Sequence, residues 1–109
     1  MTSGPGQYCQ VVTTIDSRDA AQALASTAVR ARLAACAQVG GPLDSTYWWE
    51  GAVTSAQEWQ VVFKTTAQAY PALAEHLRAQ HEYEIPEIVC VEIAGDPAYL
   101  GWIETQVHA

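Results

Sequence analysis

The sequence predicts an α+β fold: a ferredoxin-like βαββαβ sandwich with an extra C-terminal helix. Three observations lead there. Strand-like and helix-like segments follow one another as strand, helix, strand, strand, helix, strand, helix. Two right-handed βαβ halves in that order put both main helices on one face of an antiparallel sheet. The strands carry apolar residues on both faces, and four Trp with five Tyr in 109 residues are more than one small core can cover. The bare sheet face and the surplus aromatics therefore predict contact with further copies of the chain.

The elements are justified in turn. Tyr8 to Ile15 alternates Cys9, Val11, Thr13 and Ile15 against Tyr8, Gln10, Val12 and Thr14, a first strand rich in β-branched residues. Asp16 stands where a helix cap belongs, with Asp19 in the following turn. Ala21, Leu24, Ala25, Ala28 and Val29 then form one helical face, small enough to lie close to a sheet. Arg30 and Arg32 near its end suit the helix dipole. Ala35 to Val39 opens a second strand, which Gly40-Gly41-Pro42 interrupts as a bulge or bend. Strand sequence resumes directly at Ser45-Thr46-Tyr47-Trp48-Trp49.

Glu50-Gly51 reads as a hairpin turn, and Trp59 to Thr66 alternates as a third strand. Gln68 to Gln80 is a second helix with Pro71 in its first turn and Tyr70, Leu73, Ala74, Leu77 and His81 in register. Pro86 pushes Ile85 into an extended conformation ahead of a fourth strand, roughly Glu87 to Ile93. Asp96-Pro97 starts a last helix that presents Tyr99, Trp102 and Ile103. Residues 1–7 read as a flexible tail without the charge or apolar run of a signal peptide, and 8–109 as a single domain.

Composition excludes several function classes. The net charge is −7, with Arg18, Arg30, Arg32, Lys64 and Arg78 the only Lys or Arg residues. Nucleic acid and anionic membrane surfaces both call for clustered basic residues, so neither is an expected partner. No apolar run is long enough to span a membrane. Cys9, Cys36 and Cys90 are odd in number and lack metal-finger spacing. They read as free thiols buried on strands in a reducing cytoplasm. There is no GxSxG elbow and no glycine-rich phosphate loop, and no enzymatic activity is expected.

The chemistry-bearing residues concentrate in His81-Glu82-Tyr83-Glu84-Ile85-Pro86-Glu87-Ile88. Thiolate and imidazole suit copper or zinc, which makes Cys36 and His81 candidate metal ligands, assembled across strands or subunits. Glu84 and Glu87 read either as solvated carboxylates or as the acidic rim of a cleft beside Tyr83. Trp48, Trp49, Trp59 and Trp102 suit a ligand cage, or core and interface packing. Lys64 is a lone strand cation that would pair with Glu50 or Glu58. His76, on the solvent side of its helix, and His108, near the chain end, read as inert.

Five blocks, in order, resemble the CutA family of divalent-cation tolerance proteins. They are Ala31-Arg32-Leu33-Ala34-Ala35-Cys36-Ala37, Ser45-Thr46-Tyr47-Trp48-Trp49-Glu50-Gly51, Phe63-Lys64-Thr65-Thr66, the His81–Ile88 run, and Asp96-Pro97-Ala98-Tyr99-Leu100-Gly101-Trp102. The resemblance implies a homotrimer similar in architecture to the PII signalling proteins, with clefts at subunit boundaries. It also implies a link to copper and other divalent cations, and no catalysis. By this reading His81 and Cys36 are the metal residues, and Tyr83, Glu84, Glu87, Lys64, Trp49 and Trp102 line the cleft. Cu²⁺ or another divalent cation is the expected cofactor. The alternatives are a PII-like sensor of a small organic ligand, anchored by Lys64, or a scaffold that binds none. This chain departs from some metal-binding members. Thr13 stands where they carry a cysteine, Gln80 where they carry the first of two histidines, and Glu82 where they carry a proline.

Overall fold

The computed structural model describes residues 7–108. Of the tail expected over 1–7, residues 1–6 lie outside the described residues, and the carbonyl of Gln7 is held by the Ala67 N–H at 2.8 Å. The elements are β1 (Tyr8–Ile15), α1 (Arg18–Arg30), β2 (Cys36–Trp49), β3 (Ala52–Thr66), α2 (Tyr70–Gln80), β4 (Val89–Glu92) and α3 (Pro97–Gln106). The strands form one antiparallel sheet in the order β2-β3-β1-β4. The element order expected from sequence is therefore the order found.

The main core lies between the sheet and the first two helices. Cys9, Val11 and Ile15 of β1 and Val61 and Phe63 of β3 meet Ala21, Leu24 and Ala28 of α1 and Leu73 and Leu77 of α2. Ala21 and Ala28 are fully buried, which the small helix face anticipates. Their neighbours Gln10, Val12, Thr14, Gln60, Val62 and Lys64 leave the sheet on the other side. Val89 and Val91 of β4 share that second face, opposite Val12 and Gln10, and both are exposed.

Helix α3 covers only one end of this second face. Leu100 and Ile103 pack on Tyr8 in a satellite core with Ala69 and Val107. Tyr99 and Trp102, expected on one face with Ile103, part from it: Ile103 is buried while they stack on each other outside, ring centroids 5.7 Å apart. The apolar row Leu100, Ile103 and Val107 keeps helical spacing and takes the buried side. Asp96 caps the helix as expected, its Oδ2 accepting from the N–H groups of Ala98 and Tyr99 at 3.1 and 3.3 Å.

Other departures are local. Ser17, not Asp16, caps α1: its hydroxyl accepts from the Ala20 N–H at 3.0 Å. Asp16 is one residue too early for that bond. His76 is not inert, since its Nε2 sits 3.0 Å from the Thr27 hydroxyl and ties α2 to α1. Of the three thiols only Cys9 is buried, and burial first, then Cys90 beside it, push its thiol up to about 12. Cys36 is half-buried, and Cys90 is exposed on the edge strand. β4 is shorter than expected, and α2 starts at Tyr70 with His81 just past its end.

The largest difference is the length of the hairpin. β3 begins at Ala52 rather than Trp59, and β2 runs on through its glycines with a register shift between Gly40 and Leu43. Glu50 and Gly51 turn the chain at positive φ, 52° and 79°. Of β3, β1 pairs with Trp59–Thr66 alone, so the ladder from Leu43↔Glu58 to Trp49↔Ala52 stands clear of the sheet as a two-stranded arm. At about 3.3 Å per residue it projects roughly 20 Å. The protomer is accordingly elongated, 48 × 24 × 21 Å.

Candidate functional site

The candidate site forms where the α2–β4 loop folds back against the root of the arm. His81 fixes that loop. β4 ends its ladder at Val12↔Val89, and Thr14, two residues further along β1, turns its carbonyl to His81 instead. His81 Nε2 donates to this carbonyl at 2.8 Å, and Nδ1 accepts the N–H of Tyr83 at 3.0 Å. A backbone N–H can only donate, so the ring proton is assigned to Nε2 and both ring nitrogens are in use.

Tyr83 stands on this support. Its ring lies 4.7 Å from the His81 ring, tilted by 54°, and its hydroxyl donates to Glu58 Oε2 at 2.8 Å. Burial first, and then the Glu58 carboxylate, push the tyrosine hydroxyl well above its usual range, so it remains a donor. Glu58 is itself only 7% exposed. The expected Lys64–Glu58 pair does not form: six residues along one strand separate them by roughly 20 Å. Glu50, at the arm's tip, is farther still from Lys64.

A cleft of about 670 Å³ opens between loop and arm. Glu58 and Thr14 lie at its root, Tyr83, Glu84, Ile85 and Glu87 form the loop side, and Tyr47, Trp48 and Trp49 form the arm side. Five residues singled out from sequence are thus brought together here: Tyr83, Glu84, Glu87, Trp48 and Trp49. His81 stands behind them, buried. Glu58 was not recognised as part of this group. It sits outside the loop motif, and only the length of β3 brings it beneath Tyr83.

The remaining candidates gather at the opposite end of the open sheet face. Cys36 pairs across β2 and β3 with Lys64, and its Sγ lies 3.6 Å from the Tyr99 hydroxyl, on which Trp102 stacks. That hydrogen bond, ahead of burial, raises the Tyr99 hydroxyl. Lys64 lies four positions from Gln60, the partner of Thr14, so Cys36 and His81 are more than about 13 Å apart within one chain. Among the described residues no three His, Cys, Asp or Glu side chains converge to hold a metal ion. The residues of one protomer therefore do not fit the expected copper site.

Fold and site together define a class: an α+β protomer with an open sheet face, a projecting arm and an acidic, aromatic cleft where the two meet. The profile of the CutA1 divalent ion tolerance protein matches residues 9–106, and the chain belongs to that family. It is 42% identical over 94 residues to the divalent-cation tolerance protein CutA of Thermus thermophilus, covering 85% of this chain and 91% of that one. Protein CutA 1, chloroplastic, of Oryza sativa is 36% identical over 99 residues, 90% of this chain. The chain spans only 56% of that rice protein's length.

Solved structures agree with the fold. The T. thermophilus protein superposes with a TM-score of 0.90 at 38% identity, covering 93% of this chain and 99% of that one. CutA1 from O. sativa gives 0.92 at 33% identity, with coverage of 99% and 98%. The compartments attached to relatives differ: the rice protein is called chloroplastic and a CutA from Archaeoglobus fulgidus periplasmic. Among the described residues of this chain no helix is long and apolar enough to cross a membrane.

Proposed function

We propose that this chain acts in the cytoplasm as a homotrimer serving divalent-cation tolerance, and that it does so by binding a ligand at clefts completed between subunits rather than by catalysis. The observation that carries this reading is the exposed sheet face continuous with the arm. Val89 and Val91 on the sheet and Trp48 and Val53 on the arm are all exposed in one chain, Trp48 to 74%. An apolar surface of this kind calls for a protein partner. Family membership, together with the rotational closure usual for homo-oligomers, supports a second and third copy.

Trimer formation would also change the metal argument, because Cys36 and Lys64 of one copy need not stay far from the loop of the next. Cu²⁺ is the ligand to test first, with His81 and Cys36 as its residues. Binding at His81 would have to displace either the Thr14 carbonyl or the Tyr83 N–H. The second reading, a small organic ligand, is favoured by the size and aromatic walls of the cleft. Lys64 as its anion contact finds no support within one protomer, since it does not line the cleft.

Calorimetric titration of Cu²⁺ into metal-stripped protein, with Cys36→Ser and His81→Ala alongside, tests the metal reading while light scattering gives the mass. The expected result is a three-chain particle binding one Cu²⁺ per chain, at least tenfold more weakly in both variants. A one-chain mass would overturn the assembly. Absent or unchanged Cu²⁺ binding would overturn His81 and Cys36 as ligands.

A further inference from the structure

Two thiols remote from the cleft meet on the helix side of the sheet. The Ile93 N–H donates to the Tyr8 carbonyl at 3.0 Å, which makes Tyr8 and Ile93 a hydrogen-bonded pair of the β1–β4 ladder. Cys9↔Glu92 and Val11↔Cys90 are then pairs of the other kind, whose side chains stand closer. Cys9 and Val11 face the helices in the main core, so Cys90 and Glu92 share that side. Val89 and Val91 leave on the other, with the open face. Cys9 and Cys90 are therefore diagonal neighbours, one thiol buried and the other exposed on the edge strand. Behind burial, the hydrogen bond with Cys90 is the next cause of the raised Cys9 thiol, which sets the two sulfurs side by side.

The spacing decides what such a pair can do. Diagonal residues have Cα atoms about 7–8 Å apart, whereas a disulfide needs them within about 7 Å. An ion bonded to both sulfurs at about 2.3 Å each spans up to about 4.6 Å between them, so it bridges the diagonal without moving either strand. Thiolates are soft donors that select Cu⁺, a d¹⁰ ion satisfied by two ligands in line. Zinc calls for four, and among the described residues no three metal-ligating side chains converge. Cys9 gives up little, since its thiol donates to the Thr66 carbonyl in a weak bond of 3.7 Å. Glu92, across from Cys9, adds negative charge that draws a cation in.

We propose that Cys9 and Cys90 bind one Cu⁺ per chain as a two-coordinate dithiolate on the helix side of the β1–β4 edge. Binding releases both thiol protons to water and leaves one net negative charge on the copper and its two sulfurs. The exposed Cys90 side lets solvent screen that charge. The site is separate from the cleft, from Cys36 and from the face proposed for assembly, and stands whether or not those readings hold.

The test is titration of the full-length, fully reduced protein with Cu⁺ under nitrogen, in competition with the chromogenic chelator ferrozine. Cys36→Ser serves as the background, because its remaining thiols are Cys9 and Cys90. That protein should withdraw one Cu⁺ per chain from the chelator, and X-ray absorption should show two sulfur neighbours around the copper. Adding Cys90→Ser, a change at an exposed side chain, should weaken binding about a hundredfold or more. Cys9→Ala in the same background should do likewise, with far-ultraviolet dichroism unchanged in both. Zn²⁺ should displace Cu⁺ only at about a hundredfold excess or more. Four outcomes would overturn the proposal: no Cu⁺ withdrawn by the Cys36→Ser protein, affinity unchanged by Cys90→Ser, Zn²⁺ held as tightly as Cu⁺, or one Cu⁺ shared between two chains.

Discussion

Val89→Asp combined with Val91→Asp should convert the proposed three-chain particle into single chains. Both side chains leave β4 on the open face, beside Val12 and Gln10, and both are exposed in the isolated protomer. The pair therefore costs a lone chain little. Against another copy, each carboxylate would be buried without a partner, a penalty of several kcal/mol per charge. Two such penalties in each chain shift an assembly equilibrium by orders of magnitude. Sedimentation or light scattering should read one chain mass at micromolar protein, with far-ultraviolet dichroism retained. A particle of unchanged mass would show that the open face is not the contact surface.

His81→Ala should lower stability by about 2–4 kcal/mol, because it leaves two backbone groups without partners at a buried position. The Thr14 carbonyl and the Tyr83 N–H both depend on the ring. The α2–β4 loop would lose its attachment to β1, and Tyr83 its stacked support. His81→Gln, which still carries one donor and one acceptor, should recover part of the loss. Urea denaturation of the three proteins at equal concentration makes the measurement. A loss below about 0.5 kcal/mol would mean that the histidine only decorates the loop.

The fold was legible because its signals are local and repeated. The alternation of β1, the alanine face of α1 and the Asp96-Pro97 start each report burial or capping within a few residues. Ser17 against Asp16 turns on which of two adjacent good caps reaches the Ala20 N–H, a choice set by backbone dihedrals that composition does not encode. The outward stack of Tyr99 on Trp102 escaped for a similar reason: Leu100, Ile103 and Val107 offer a competing face of the same period.

The cleft was half legible. The loop motif names Tyr83, Glu84 and Glu87, and Trp49 follows from the resemblance. Glu58 required knowing that β3 starts at Ala52, because Val53, Thr54, Ser55, Ala56 and Gln57 show no clean apolar alternation. Strands of an arm without a sheet on either side have no buried face to impose one. His81 also carries a structural role that its sequence neighbours do not announce, because the Thr14 carbonyl that accepts from it lies 67 residues away.

The arm has a consequence for how the chain matures. A two-stranded ribbon with no third strand is marginal in water, so its order depends on how many neighbours are within reach. The helix-backed sheet can form in a unimolecular step whose rate ignores dilution. Under the proposed assembly, completion of the arm is then a collision event and slows as chains become scarce. Between the two steps each newly made molecule displays Tyr47, Trp48 and Val53 on an unpaired edge, the kind of surface that also nucleates aggregates. The proposed assembly would therefore set a lower bound as well as an upper one on supply of the protein, below which chains would linger half-finished.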